Sequence, residues 1–224
     1  MRIFLLLLLP SLQLVAHGEE PWQTSLARMP LGTNVTQLNR TNCVPLLLQA
    51  FQSNQVVKAL VFMPGATDEF YMFRRAKAEL VDPAPSLLEA VSALTNQTRI
   101  RATFRAPLLL LHTDEDFVTP LVAIENPPTV ERLKKRPFLP YVLYYDRDWD
   151  SLQGDLKWTL KIELRPWRYS QGSWHFYRHS FAAWNLTGWE ALEATALAGK
   201  SKFTVRHNQV IFEPDRRFPP VESH

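Results

Sequence analysis

The stretch WNLTGWEALEATALAGKSKFTVRHNQVIFEP, Trp184 to Pro214, decides how the fold is read. Ala183, Asn185 and Thr187 alternate with Trp184 and Leu186, the period of an extended segment. Trp189, Leu192, Ala196 and Leu197 then follow helical spacing, and Gly199 is expected to end the helix as a left-handed residue. Phe203 and Val205 predict a second strand, and His207-Asn208 a tight turn into a third at Val210–Phe212. The stretch is therefore a strand-helix-strand-strand unit, and it contains no residue pattern that implies chemistry.

Working outward, SLLEAVSALTNQTRIRATF (Ser86 to Phe104) echoes WEALEATALAGKSKFTVRH (Trp189 to His207). Leu88-Glu89-Ala90 and Leu192-Glu193-Ala194 stand early in the two helical patterns, and with one residue of slippage both patterns run through a polar break into an alternating strand. The expected class is α+β: small mixed sheets packed by amphipathic helices, with two βαββ-like units.

The rest of the chain is consistent with that grammar. Val44 to Phe51 predicts a short helix, and VVKALVFM, Val56 to Met63, a strand buried on both faces. A helix opens at Pro85 and runs to Gln97, followed by strands at Ile100–Phe104 and Pro107–His112. Thr113 to Pro128 reads as loop, and Thr129 to Lys135 as a short basic helix closed by Pro137. Beyond it come a strand at Tyr141–Tyr145, a helix at Asp148–Trp158, and strands at Thr159–Leu164 and Ser173–Phe181. Six of the seven tryptophans and five of the six tyrosines fall between Tyr141 and Trp189, which places a boundary just before Tyr141. The expected organisation is a signal peptide over 1–18, an extended arm over 19–40, an N-terminal α/β region over 41–140, an aromatic-rich β-α-β-β module over 141–214 and a tail over 215–224.

The leader rests on Arg2, the apolar run Ile3–Leu9 and the small-residue site Ala16-His17-Gly18, with cleavage expected near Gly18. No stretch reaches the ~20 apolar residues of a transmembrane helix, so the expectation is an exported protein, periplasmic or secreted, without a membrane span. A single cysteine excludes an intramolecular disulfide framework and favours a bacterial envelope over an animal extracellular setting. Against that stand four acceptor sequons, at Asn34, Asn39, Asn96 and Asn185. Without Arg2 the charges are 24 basic against 22 acidic, and the densest basic run, Arg132-Lys134-Lys135-Arg136, reads as a solvated helix end. No basic face is available to nucleic acid.

Glycine narrows the chemistry further. The 7 glycines stand at 18, 32, 65, 154, 172, 188 and 199, no two closer than 11 residues. A GxGxxG dinucleotide loop, a Walker loop and a GxSxG nucleophile elbow are all excluded, and no cofactor is expected.

The unit from Phe181 to Phe212 resembles the secretin and TonB-receptor short N-terminal module of bacterial envelope proteins. Leu186, Trp189, Ala191-Leu192, Leu197, Gly199, Phe203, Val205 and Val210-Ile211 carry the likeness. It implies a periplasmic interaction module and carries over no catalytic residue. PLLLLHTDEDFVTP, Pro107 to Pro120, is similar to the acid-bearing turn of α/β-hydrolases through Asp116, Val118 and Pro120, with Thr113 where glycine is usual. That likeness implies an acid of a triad but finds no serine on a glycine-flanked elbow.

Three constellations remain. His175 and His179 share a face at an even offset, and His207 or Asp148 could complete a metal set with them, although Phe176 stands where the glutamate of HExxH would be. Asp146, Asp148 and Asp150 begin like a calcium loop, but Lys157 replaces the terminal glutamate, so Asp148 is expected to cap a helix. Arg165, Trp167, Arg168, Tyr169 and Trp174 form the candidate binding patch, offering flat apolar faces with polar tips. The functional expectation is a non-catalytic binding or assembly module whose partner is another envelope protein or a glycan. The alternative is a divergent hydrolase using Asp116 and a histidine, or a metal-dependent enzyme acting through His175 and His179.

Overall fold

The computed structural model describes residues 20–63, 73, 75–113, 118–166, 178–215 and 217. The first half of the chain forms α1 (Pro21–Ala27), β1 (Gln37–Leu38), α2 (Cys43–Ala50), β2 (Ala59–Phe62), β3 (Ala78–Glu79), α3 (Leu87–Gln97), β4 (Arg101–Arg105) and β5 (Leu108–His112). After β6 (Val122–Ile124) come α4 (Pro127–Lys135), β7 (Tyr141–Arg147), α5 (Trp149–Leu160) and β8 (Glu163–Pro166). The chain closes with β9 (His179–Trp184), α6 (Gly188–Ala198), β10 (Ser201–Arg206) and β11 (Gln209–Pro214). The fold is α+β, with mixed sheets ordered β4-β5-β2-β9-β7 and β6-β10-β11-β8 and a small β1-β3 pair.

Two halves repeat one plan. The order helix, strand, helix, strand, strand, helix, strand, strand occurs first from α1 to β5 and again from α4 to β11. Pairing repeats with it: β1–β3 and β7–β9 are antiparallel, β2–β5 and β8–β11 parallel, β4–β5 and β10–β11 antiparallel. Register repeats as well, Arg105 opposite Leu108 matching Arg206 opposite Gln209. Isolated bridges join Pro30 to Ser86 and Pro137 to Thr187 at corresponding places. The echo between 86–104 and 189–207 thus lies on elements that correspond, but in a different alignment: Ser86 matches Thr187, because both are N-caps of eleven-residue helices.

Those two caps are full capping boxes. Ser86 and Thr187 each accept from the amide three residues on, while Glu89 and Glu190 reach back to the cap amides. Each satisfies two orphan donors of a helix start. Ser86→Ala and Thr187→Ala are each expected to lower stability by about 1 kcal/mol. Urea unfolding reads the effect, and unchanged midpoints for both variants would deny the caps a structural role.

The five-stranded sheet separates two cores. Leu60, Phe62, Leu109, Leu111 and Ala182 face α1, α2 and α3. Ala59, Val61, Leu108, Leu110, Phe181 and Ala183 face the second half, where Phe203, Val205, Val210 and Phe212 of the other sheet close the core. This explains the unbroken apolar runs of β2 and β5, which are buried along their whole length. It also explains α6, which is buried nearly all round and carries four alanines among its 11 residues. Lys58–Glu190 (3.2 Å) and Arg105–Glu193 (2.9 Å) pin α6 to the rim of the first-half strands.

Several expectations change. The arm expected over 19–40 folds: α1 and the segment after it bury Leu26, Met29, Leu31 and Leu38 in the first core. The helix expected to stop at Trp158 runs to Leu160, ends on the left-handed Lys161 (φ 50), and pushes the next strand back to β8. The loop expected over Thr113–Pro128 contains β6, which pairs in parallel with β10. Gly199 is not the left-handed residue, since its φ is -103°; Lys200 takes that conformation at φ 51°. The expected boundary near Tyr141 does not divide the sheets, because β7 and β9 extend the sheet begun by β4, β5 and β2. Among the described residues no helix is long and apolar enough to cross a membrane, and Asn34, Asn96 and Asn185 are exposed while Asn39 is half-buried.

Candidate binding surface

Of the expected binding patch only Arg165 is among the described residues. It lies exposed on β8 and pairs with Glu163 at 3.0 Å; Trp167, Arg168, Tyr169 and Trp174 lie outside the described residues, as do Asp116 and His175. The remaining tryptophans divide by environment. Trp149 is buried against Phe212 with ring centroids 5.0 Å apart, and Trp189 packs on Phe203 at 5.5 Å. Trp158 is instead 83% exposed, with the Lys161 ammonium over its ring at 6.0 Å.

A second apolar surface was not identified from the sequence. β7 is an end strand of the five-stranded sheet among the described residues. Its alternation buries Val142 and Tyr144 and leaves Tyr141, Leu143 and Tyr145 exposed by 45%, 36% and 45%. The strand is rigid from behind: the Tyr144 hydroxyl donates to Asp155 at 2.9 Å, and burial and that carboxylate together raise its pKa. The Tyr141 ring leans on Trp184 at 4.3 Å, and Trp184 in turn meets Phe51 edge-on at 5.7 Å. The exposed ridge is therefore seated on packed aromatic rings. Uncharged apolar edge strands are generally avoided, because they pair with other chains. The opposite end of the same sheet, β4, carries Arg101 and Arg105, whereas Tyr141 to Tyr145 carry no charge and no proline. Sequence alone could not separate the two faces of YVLYY, as apolar residues occupy both.

The candidate reactive groups are placed as follows. His179 is fully buried at the start of β9, with neither ring nitrogen hydrogen-bonded among the described residues. Its ring lies against Trp149 at 5.8 Å and against the backbone of Gly199. Burial lowers its pKa to about 4, outweighing the opposing influence of the Arg147 backbone and Asp148. His207 sits in the turn at the far end of the β10–β11 hairpin, six residues of strand away from the Gly199–Ser201 corner beside His179. Extended strand rises ~3.3 Å per residue, so His179 and His207 cannot share a metal, which corrects that part of the metal expectation. Among the described residues no group of three His, Cys, Asp or Glu side chains could hold a metal ion. Asp148 caps α5, accepting from the Ser151 amide at 2.8 Å. Cys43 is buried, which pushes its thiol up to about 12 and leaves it no thiolate for nucleophilic chemistry.

Met63, Pro120, Ala196, Leu197, Ser201, Asp215 and Arg217 line a shallow crevice with no enclosed room for even a water molecule. Arg217 Nε holds both oxygens of the buried Asp215 at 3.1 and 2.9 Å. Small-molecule sites usually measure ~300–1,000 Å³, so the crevice is a packing feature sealed by an ion pair. The chain matches no protein-family model, no curated protein and no solved structure.

Proposed function

We propose that the protein is an exported, non-catalytic envelope component that acts as a binding or assembly module. The observation that carries this reading is the Tyr141–Leu143–Tyr145 ridge on the end strand β7. Large aromatic and aliphatic side chains held rigidly at a surface lose little entropy on contact and dominate interface energies. The leader at 1–18 supports export, and the likeness of Phe181–Phe212 to short periplasmic interaction modules supports an envelope setting. The partner is another envelope protein or a glycan.

Co-purification from the native envelope tests this reading with two variants. Leu143→Lys places a charge in the centre of the ridge and is expected to reduce recovered partner by about tenfold or more. Arg165→Glu on β8 tests the patch expected from the sequence instead. Equal recovery with wild type and L143K would remove the ridge from the binding surface.

A further inference from the structure

We propose that the ridge binds a second copy of this chain, with two β7 strands pairing antiparallel across a twofold axis through Leu143. The proposal rests on the reading of the ridge as a contact surface and names its occupant. Three observations carry it.

The first is the pattern of the strand. Tyr141-Val142-Leu143-Tyr144-Tyr145 is nearly palindromic in character about Leu143. In an antiparallel pair centred there, Tyr141 faces Tyr145 of the second copy and Leu143 faces itself, all on the exposed side. Val142 faces Tyr144 on the buried side. Aromatic pairs and apolar pairs are the cross-strand combinations that stabilise sheets, and an interface with one patch meeting itself must be self-complementary in this way.

The second is the phase of the backbone. The Asn185 amide donates to the Pro140 carbonyl at 3.1 Å, which fixes Pro140, Val142 and Tyr144 as the residues whose backbone groups point toward β9. The backbone groups of Tyr141 and Leu143 therefore point away from the sheet. A twofold through Leu143 sets Leu143 opposite Leu143 as a hydrogen-bonded pair, so the pattern of side chains and the phase of the ladder select the same register. A one-residue shift would break both.

The third is charge. Over Pro140 to Tyr145 no side chain is ionisable at neutral pH, so like charges meet nowhere along the paired segment. The regular part of the strand ends there, at the irregularity between Tyr144 and Arg147 where Asp146 turns to φ 51°. The other long end strand offers no such match, since pairing β4 with itself about Thr103 would set Arg101 against Arg105.

The test uses the mature chain and reads both mass and register. Light scattering on the eluted protein is expected to give twice the chain mass, and Leu143→Lys to weaken the dimer by about 100-fold, because two ammonium groups would meet on the axis. Circular dichroism of L143K confirms that it folds. Cysteine variants then report register, with Cys43 too buried to compete. Leu143→Cys is expected to form an interchain disulfide with itself, as the Cα spacing of a hydrogen-bonded pair, about 5.5 Å, suits one. Tyr141→Cys is expected to cross-link to Tyr145→Cys in a mixture and much less to itself. A monomer at every concentration, or cross-links that ignore this register, overturns the proposal. If the chain is monomeric yet L143K still loses its envelope partner, self-pairing falls while the ridge remains a binding surface; if neither mass nor partner recovery responds to L143K, both readings fall.

Discussion

Gly199→Ala is expected to cost the fold about 3 kcal/mol and to lower the melting midpoint by roughly 10 °C, an effect at the upper end of overpacking substitutions. A Cβ at residue 199 would fall well inside van der Waals contact with His179 Nε2 and 3.0 Å from both Cδ2 and Cε1. The ring cannot retreat cheaply. It is fully buried, backed by Trp149 at 5.8 Å, and anchored on β9, whose next residues Ser180 and Phe181 are paired with β2. On the other side Gly199 closes α6, its amide donating to the Thr195 carbonyl at 3.0 Å, so the helix end cannot slide away either. Glycine is required here by close approach and not by a left-handed backbone. A double-mutant cycle in thermal unfolding separates the two causes. With His179→Ala in place, Gly199→Ala should become nearly neutral, a coupling of about 2–3 kcal/mol between touching groups. A Gly199→Ala protein that melts like wild type would show that the contact does not define the packing.

How much of this was readable in advance differs by element, for physical reasons. LLLL after Pro107 and VVKALVFM advertise strands buried on both faces, and β5 and β2 are such strands. The helices α3 and α6 announce themselves through period and capping residues, both of which are local. What was not readable depends on neighbours remote in sequence. Residues 20–31 look polar and aperiodic because few of their side chains turn inward: Leu26, Met29 and Leu31 are buried, and Trp22 packs partly against the same core. β6 is three residues long and owes its existence to the β10 edge it joins. The exposure of Tyr141, Leu143 and Tyr145 follows from β7 ending a sheet whose other strands come from both halves of the chain. His179 carried the same ambiguity: a histidine in an aromatic strand is a ligand or a buried ring according to what covers it. Here α5, through Trp149, and the end of α6 cover it.

That burial predicts a specific acid sensitivity. An ordinary histidine titrates at 6.5, and burial of the His179 ring lowers this to about 4. The folded protein therefore keeps the ring neutral in a range where the unfolded chain takes up a proton. Stability from this group is complete above pH ~6.5, falls as pH drops from there toward 4, and stops falling once both states are protonated. At 1.36 kcal/mol per pKa unit the loss reaches about 3 kcal/mol by pH 4. A second group acts lower down: the Ser151 hydrogen bonds hold the Asp148 carboxyl below its usual 3.8, so its contribution is present above that value and lost only below it. The two windows barely overlap, which makes the histidine's share separable. Urea unfolding at pH 7 and at pH 4.5 measures it, and His179→Leu supplies the control, because a leucine changes baseline stability without titrating. The wild-type protein should lose about 2.5 kcal/mol more than H179L between those pH values. Parallel losses in the two proteins would mean that the ring is protonated, and so hydrated or hydrogen-bonded, in the folded chain.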